Sequence, residues 1–125
     1  METLRIDPTD DSPQVILDPA NKLFEISGKS LPEDAVDFYQ PILDWLDAYR
    51  KEPLAQTPFN LKLIYFNTAS SKLIMDILLT FEEMVEEGHK VLIHWHAHQS
   101  DEDMQEAGKE FEEMIAVPFE HLTYS

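Results

Sequence analysis

Cysteine is absent from this 125-residue chain, glycine occurs three times, and nine lysines and arginines stand against 25 acids. Each scarcity excludes something. Without cysteine there is no disulfide framework, no thiol nucleophile and no thiolate metal site. The three glycines, at positions 28, 88 and 108, cannot build a phosphate-cradling glycine-rich loop. The bases are scattered, and a formal net charge of −16 argues against nucleic acid and anionic membranes as partners. No apolar run approaches the length of a bilayer span, and Met1 to Asp7 lack the apolar core of a signal peptide. A cytoplasmic location is therefore expected. There is no nucleophile elbow, and no catalytic residue, cofactor or bound metal is expected.

What is present reads as one folded domain. The chain is 43% hydrophobic and 10% aromatic, and a chain of this size buries roughly two-thirds of its unfolded surface. Residues 1–12 are polar and proline-punctuated, a loose lead-in to a single domain over 13–125. Gln14 to Asp18 and Lys22 to Ser27 are β-prone runs joined by Pro19-Ala20-Asn21 as a hairpin, with Gly28 ending it. Ser30-Leu31-Pro32-Glu33 has the capping-box form. The stripe Ala35, Phe38, Tyr39, Ile42, Trp45, Leu46, Tyr49 then has helical spacing, with Pro41 predicting a kink or a later helix start.

Lys51 to Pro58 reads as a connecting loop. Leu61 to Phe66 is apolar on both faces, as in a strand covered on two sides. A helix over about Ser70 to Glu87 follows, stopped by Gly88, and then a strand over Lys90 to Ala97. Ser100 with Asp103 forms a second capping pattern before a helix carrying Met104, Ala107, Gly108, Phe111, Met114 and Ile115. Pro118 ends that helix, and Phe119 to Tyr124 make a last strand. The order ββαβαβαβ predicts a single α/β domain with a mixed sheet, an opening hairpin and three helices.

Three constellations carry chemistry. The first is Asn67-Thr68-Ala69-Ser70-Ser71-Lys72, between a strand and a helix. Thr68 or Ser70 is enough to cap that helix, yet three hydroxyls in four residues exceed what one cap requires. Such a junction presents unpaired N–H groups and the positive end of a helix dipole, so it accommodates a phosphate on a hydroxyl, with Lys72 one turn away. Spacing alone does not separate Thr68 from Ser70 and Ser71. The second is His94, His96 and His98, alternate residues on one strand face. These are candidates for a zinc site, although side chains two apart on a straight strand lie about 6–7 Å from one another. The third is Asp101-Glu102-Asp103, well placed in a helix first turn. If the strands at 61–66 and 90–97 are parallel, this acidic turn and Thr68 border one surface, with His98 between them.

These residues resemble a known family, the SiaC-type regulatory phosphoproteins of bacteria. The resemblance runs through Ser12-Pro13-Gln14-Val15, Ile26 to Glu33, Phe38-Tyr39-Gln40-Pro41 with Asp44-Trp45, Tyr65 to Lys72 and Asp101 to Gly108, and it covers nearly the whole chain from residue 12. It implies a fold similar to the anti-sigma-factor antagonists, and a non-enzymatic switch with Thr68 as the phosphoacceptor. It further implies phosphorylation by a dedicated protein kinase and reversal by a metal-dependent protein phosphatase. The resemblance also implies that the unphosphorylated form binds and activates a diguanylate cyclase, in cyclic-di-GMP and biofilm signalling. Asn67, Ser70, Ser71, Lys72, Asp101, Glu102 and Asp103 are then the expected partner-binding residues. The chain departs from the family at His96 to Ser100, where aromatic and acidic residues are usual. Two other readings stand beside this one: an anti-sigma-factor antagonist controlling transcription, and a small metal-dependent hydrolase using His94, His96 and His98.

Overall fold

A computed structural model describes residues 1–125. Six strands, β1 (Leu4–Ile6), β2 (Gln14–Asp18), β3 (Leu23–Ser30), β4 (Gln56–Phe66), β5 (Lys90–His98) and β6 (Phe119–Tyr124), form one sheet in sequence order. The β1–β2 and β2–β3 pairs are antiparallel, and the remaining three are parallel. The parallel pairs are bridged by α1 (Ala35–Tyr49), α2 (Thr68–Glu86) and α3 (Glu102–Met114). The mixed-sheet α/β architecture with three helices is the one expected.

This order of strands decides the layering. Each right-handed crossover steps to the next strand in the same direction, so all three helices fall on one face. The burial pattern agrees: along β4, Thr57, Phe59, Leu61 and Leu63 are buried while Pro58, Asn60 and Lys62 are only half-buried. A single core cluster of 26 residues lies between sheet and helices. The expectation of a strand covered on both sides is therefore corrected. Its second face is open and carries the polar rows.

Other local readings are also revised. Leu4–Ile6 within the stretch read as lead-in pairs with β2, because Leu4 and Ile6 pack on the core edge. Gly28 does not end β3, which runs on to Ser30. Its φ of 106° marks a register shift in the β3–β4 ladder, a conformation glycine adopts without a Cβ clash. β4 starts at Gln56, inside the predicted loop. Pro58 is tolerated there because the β3 ladder begins only at Glu25–Asn60, so nothing on that side needs its missing N–H. α1 is continuous through Pro41, which sits on its exposed side.

The stripe of α3 buries Met104, Gly108 and Phe111 but leaves Met114 63% exposed. Gly108 has a packing reason. A Cβ added there would strike the Trp95 indole, so this helix lies on β5 at a distance only glycine permits. The indole Nε1–H of Trp95 donates to the Met104 carbonyl at 2.9 Å and locks the approach.

Candidate functional site: the carboxyl edge of the sheet

β4 and β5 run parallel, so the turns after them emerge at one edge. At the first turn the helix cap is Asn67, not Thr68 or Ser70. The Asn67 side chain accepts the Ser70 N–H at 2.8 Å, and its carbonyl accepts the Ser71 N–H at 3.0 Å. An amide at this position satisfies the orphan donors, which relieves the hydroxyls of that duty.

The three hydroxyls then separate by environment. Thr68, the first helical residue, is exposed; Ser71 is half-buried; Ser70 is 0% exposed. Ser70, expected among the partner-binding residues, is therefore beneath the surface and not on it. Its Oγ donates to the Ser30 carbonyl at 3.0 Å and accepts from Ser30 Oγ at 2.8 Å. Ser30 Oγ in turn lies 2.6 Å from Tyr39 Oη. Each hydroxyl has one proton, so the chain has one direction: Tyr39 donates to Ser30, Ser30 to Ser70, Ser70 to the Ser30 carbonyl. Burial pushes the Tyr39 phenol above its ordinary value, and this donor stays protonated. The Asn67 N–H also donates to the Ser30 carbonyl, at 3.2 Å. Ser30 is thus not the helix cap that its capping-box pattern predicted; Asp34 caps α1 by accepting the Asp37 N–H at 3.1 Å. The end of β3, α1 and the first turn of α2 are tied together under Thr68.

The second turn is held by Asp101, which accepts the Met104 N–H at 3.0 Å and replaces Ser100 as the cap. Ser100 instead bonds His98 Nδ1 at 2.7 Å. Gln105 Nε2 donates to the carbonyls of His98 and Gln99 at 3.2 and 3.1 Å. Glu102 and Asp103 are exposed beside the cap.

Between the two turns lies a shallow depression of about 210 Å³ lined by Ile64, Tyr65, Phe66, Asp101, Asp103, Met104 and Ala107. The sequence reading missed its floor. In the β3–β4 ladder Gly28 pairs with Leu63 and Lys29 with Tyr65, so Ile64 is an extra residue. Alternation breaks there, and Ile64 and Tyr65 are 56% and 54% exposed. Gly28 was the visible signal of that irregularity. Lys29 and Lys72, both exposed and without an ion pair, flank the Thr68 side, whereas three carboxylates flank the other.

The histidines do not converge. All three are on the open face, with 6.4 Å between the ring centroids of His94 and His96. Each has its own partner: His94 faces Glu120 at 3.8 Å, His96 bonds Asn60 at 3.0 Å, and His98 bonds Ser100. No group of three histidines or acids is close enough to hold a metal ion. The zinc reading is corrected by strand spacing. No helix is long and apolar enough to cross a membrane.

A capped helix displaying an exposed threonine, an apolar depression and an acidic turn define a small α/β domain with one elaborated edge. The chain belongs to the SiaC family, whose model, described as SiaC family regulatory phosphoprotein, matches residues 6–124. Uncharacterized protein PA14_02130 of Pseudomonas aeruginosa strain UCBPP-PA14 is 30% identical over 119 residues, covering 95% of this chain and 94% of that protein. The crystal structure of apo-SiaC from Pseudomonas aeruginosa superposes with a TM-score of 0.89 at 28% identity, covering 99% of this chain and 100% of that one. The same organism's SiaC, solved in complex with the diguanylate cyclase SiaD that it activates, gives a TM-score of 0.91 at 29% identity, over 97% and 99% of the two chains.

Proposed function

We propose that this chain is a phosphorylation-controlled activator of a diguanylate cyclase, acting in the cytoplasm, with Thr68 as the phosphoacceptor. The observation that carries the reading is the separation of the hydroxyls: Thr68 is exposed and free of the capping role, while Ser70 is buried. A kinase transfers the γ-phosphoryl group of a nucleoside triphosphate to Thr68 Oγ1, and the hydroxyl proton leaves to a base of the kinase. A metal-dependent phosphatase returns the hydroxyl by hydrolysis, releasing inorganic phosphate.

The phosphate adds about −1.5 to −2 charges at the α2 N-terminus, where the helix dipole and Lys72 tolerate it. The fold survives while the surface changes. The unphosphorylated edge, with Ile64 and Tyr65 at its centre and Asn67, Ser71, Lys72, Asp101, Glu102 and Asp103 around them, docks the cyclase. Phosphate raises the negative potential of an edge that is already acidic and weakens that docking. The solved pairing of the related SiaC with SiaD supports a cyclase as the output.

Intact-mass and site-mapping measurements on protein from native cells, with Thr68→Ala beside it, test the reading. One phosphate on Thr68, missing from the variant, is the expected outcome, with cyclase captured by the unmodified form alone. Phosphate on Ser71 only, or none in any growth condition, overturns it.

A further inference from the structure

At the opposite end of the sheet from Thr68, a groove of about 590 Å³ lies among the starts of β4 and β5, the end of α2 and Pro118. Pro58, Val85, Leu92 and Pro118 supply its apolar walls, and the bases His89, Lys90 and His94 are among its lining residues. None of its ten lining residues is an acid, although 25 of the chain's 125 residues are. Lys90 is exposed and takes part in no ion pair, so its ammonium is available. Glu120, of the edge strand β6, approaches His94 at 3.8 Å but is outside the lining. The volume falls within the range of small-molecule sites.

We infer that this groove binds a small amphipathic anion, a medium-chain carboxylic acid or a molecule of the same chemistry. Its apolar chain lies between Pro58, Val85, Leu92 and Pro118, and its carboxylate meets Lys90, with His89 and His94 as further hydrogen-bonding partners. Charge selects the ligand. In a molecule this acidic, the surrounding surface repels anions, so affinity for one requires a local cluster of bases over apolar walls. A cation with the same chain gains nothing from Lys90. The groove is remote from the Thr68 edge, since the 19 residues of α2 span about 27 Å between them. The site therefore stands whether or not Thr68 is phosphorylated.

The test titrates the isotopically labelled full chain with octanoate, octanol and octylammonium while backbone amide shifts are followed. Octanoate is expected to give saturable shifts at Gln56, Val85, His89 and Leu92, leaving Thr68 and Asp101 unmoved. Lys90→Glu is expected to weaken octanoate about tenfold. Lys90 is exposed at the first residue of β5, so this variant keeps the fold. Val85→Trp, which fills the groove, is expected to abolish binding. Octanol or octylammonium binding as tightly as octanoate, no saturable shift at those residues, or a Lys90→Glu variant with unchanged affinity overturns the inference.

Discussion

Ser30 and Ser70, 40 positions apart, hold one another twice: Ser30 Oγ donates to Ser70 Oγ at 2.8 Å, and Ser70 Oγ donates to the Ser30 carbonyl at 3.0 Å. This reciprocal pair carries the exposed Thr68 on a first helical turn that is anchored to the sheet. Ser70→Ala leaves the buried Ser30 hydroxyl without its acceptor and is expected to cost about 1–3 kcal/mol in chemical denaturation. Tyr39→Phe removes one donor and is expected to cost less, about 0.5–1.5 kcal/mol. A neutral Ser70→Ala would show that the pair contributes nothing to holding the turn.

The cap assignment separates two neighbours. Asn67→Ala is expected to lower stability by about 1 kcal/mol, and Asn67→Asp, which keeps the accepting oxygen, to restore most of it. Thr68→Ala leaves the cap intact and is expected to shift the melting temperature less than Asn67→Ala. The reverse order would return the capping role to Thr68.

Gly108 and Trp95 give a packing prediction. A helix interior ordinarily gains up to about 1 kcal/mol when glycine becomes alanine, but here the new methyl strikes the indole. Overpacking costs about 1–3 kcal/mol, so Gly108→Ala is expected to destabilise and to shift the Trp95 fluorescence. Adding Trp95→Phe should make Gly108→Ala less costly than it is alone, which a double-mutant cycle measures.

His96 gives a pH prediction. Its half-buried ring, with Lys62 and His94 nearby and Glu25 opposing them, is held below the ordinary histidine value, chiefly by burial. The unfolded chain therefore takes up the proton first as pH falls, so this contribution to stability is complete above about pH 6.5 and is lost as pH drops toward the lowered folded value. His96→Gln is expected to flatten the stability profile below pH 6.5 while leaving it elsewhere unchanged in shape. Denaturation midpoints between pH 5 and 8 check this, and an unchanged slope in the variant contradicts it.

Much of the fold was legible because the apolar periodicities are strong. The stripes of all three helices, the hairpin and the final strand sit close to where spacing placed them. Caps were less legible. Ser30 and Ser100 both match capping patterns, yet Asp34 and Asp101 do the work, because Ser30 finds better partners in Tyr39 and Ser70 and Ser100 turns to His98. The floor of the candidate site was hidden for a similar reason. Ile64 and Tyr65 read as buried strand residues until the extra residue against β3 turns both outward.

Local composition and period are enough for the types and order of the elements from β2 onward, the absence of thiol chemistry, the acidic charge and the position of the hydroxyl cluster. Its family resemblance singled out Thr68. Which hydroxyls face solvent, which face of the sheet is covered, that the three histidines stay apart, and that Thr68 and Asp101 share an edge all emerge from the folded chain. Those outcomes depend on pairings between distant segments, Ser30 with Ser70 and β4 with β5, and no local pattern encodes the registers that set them.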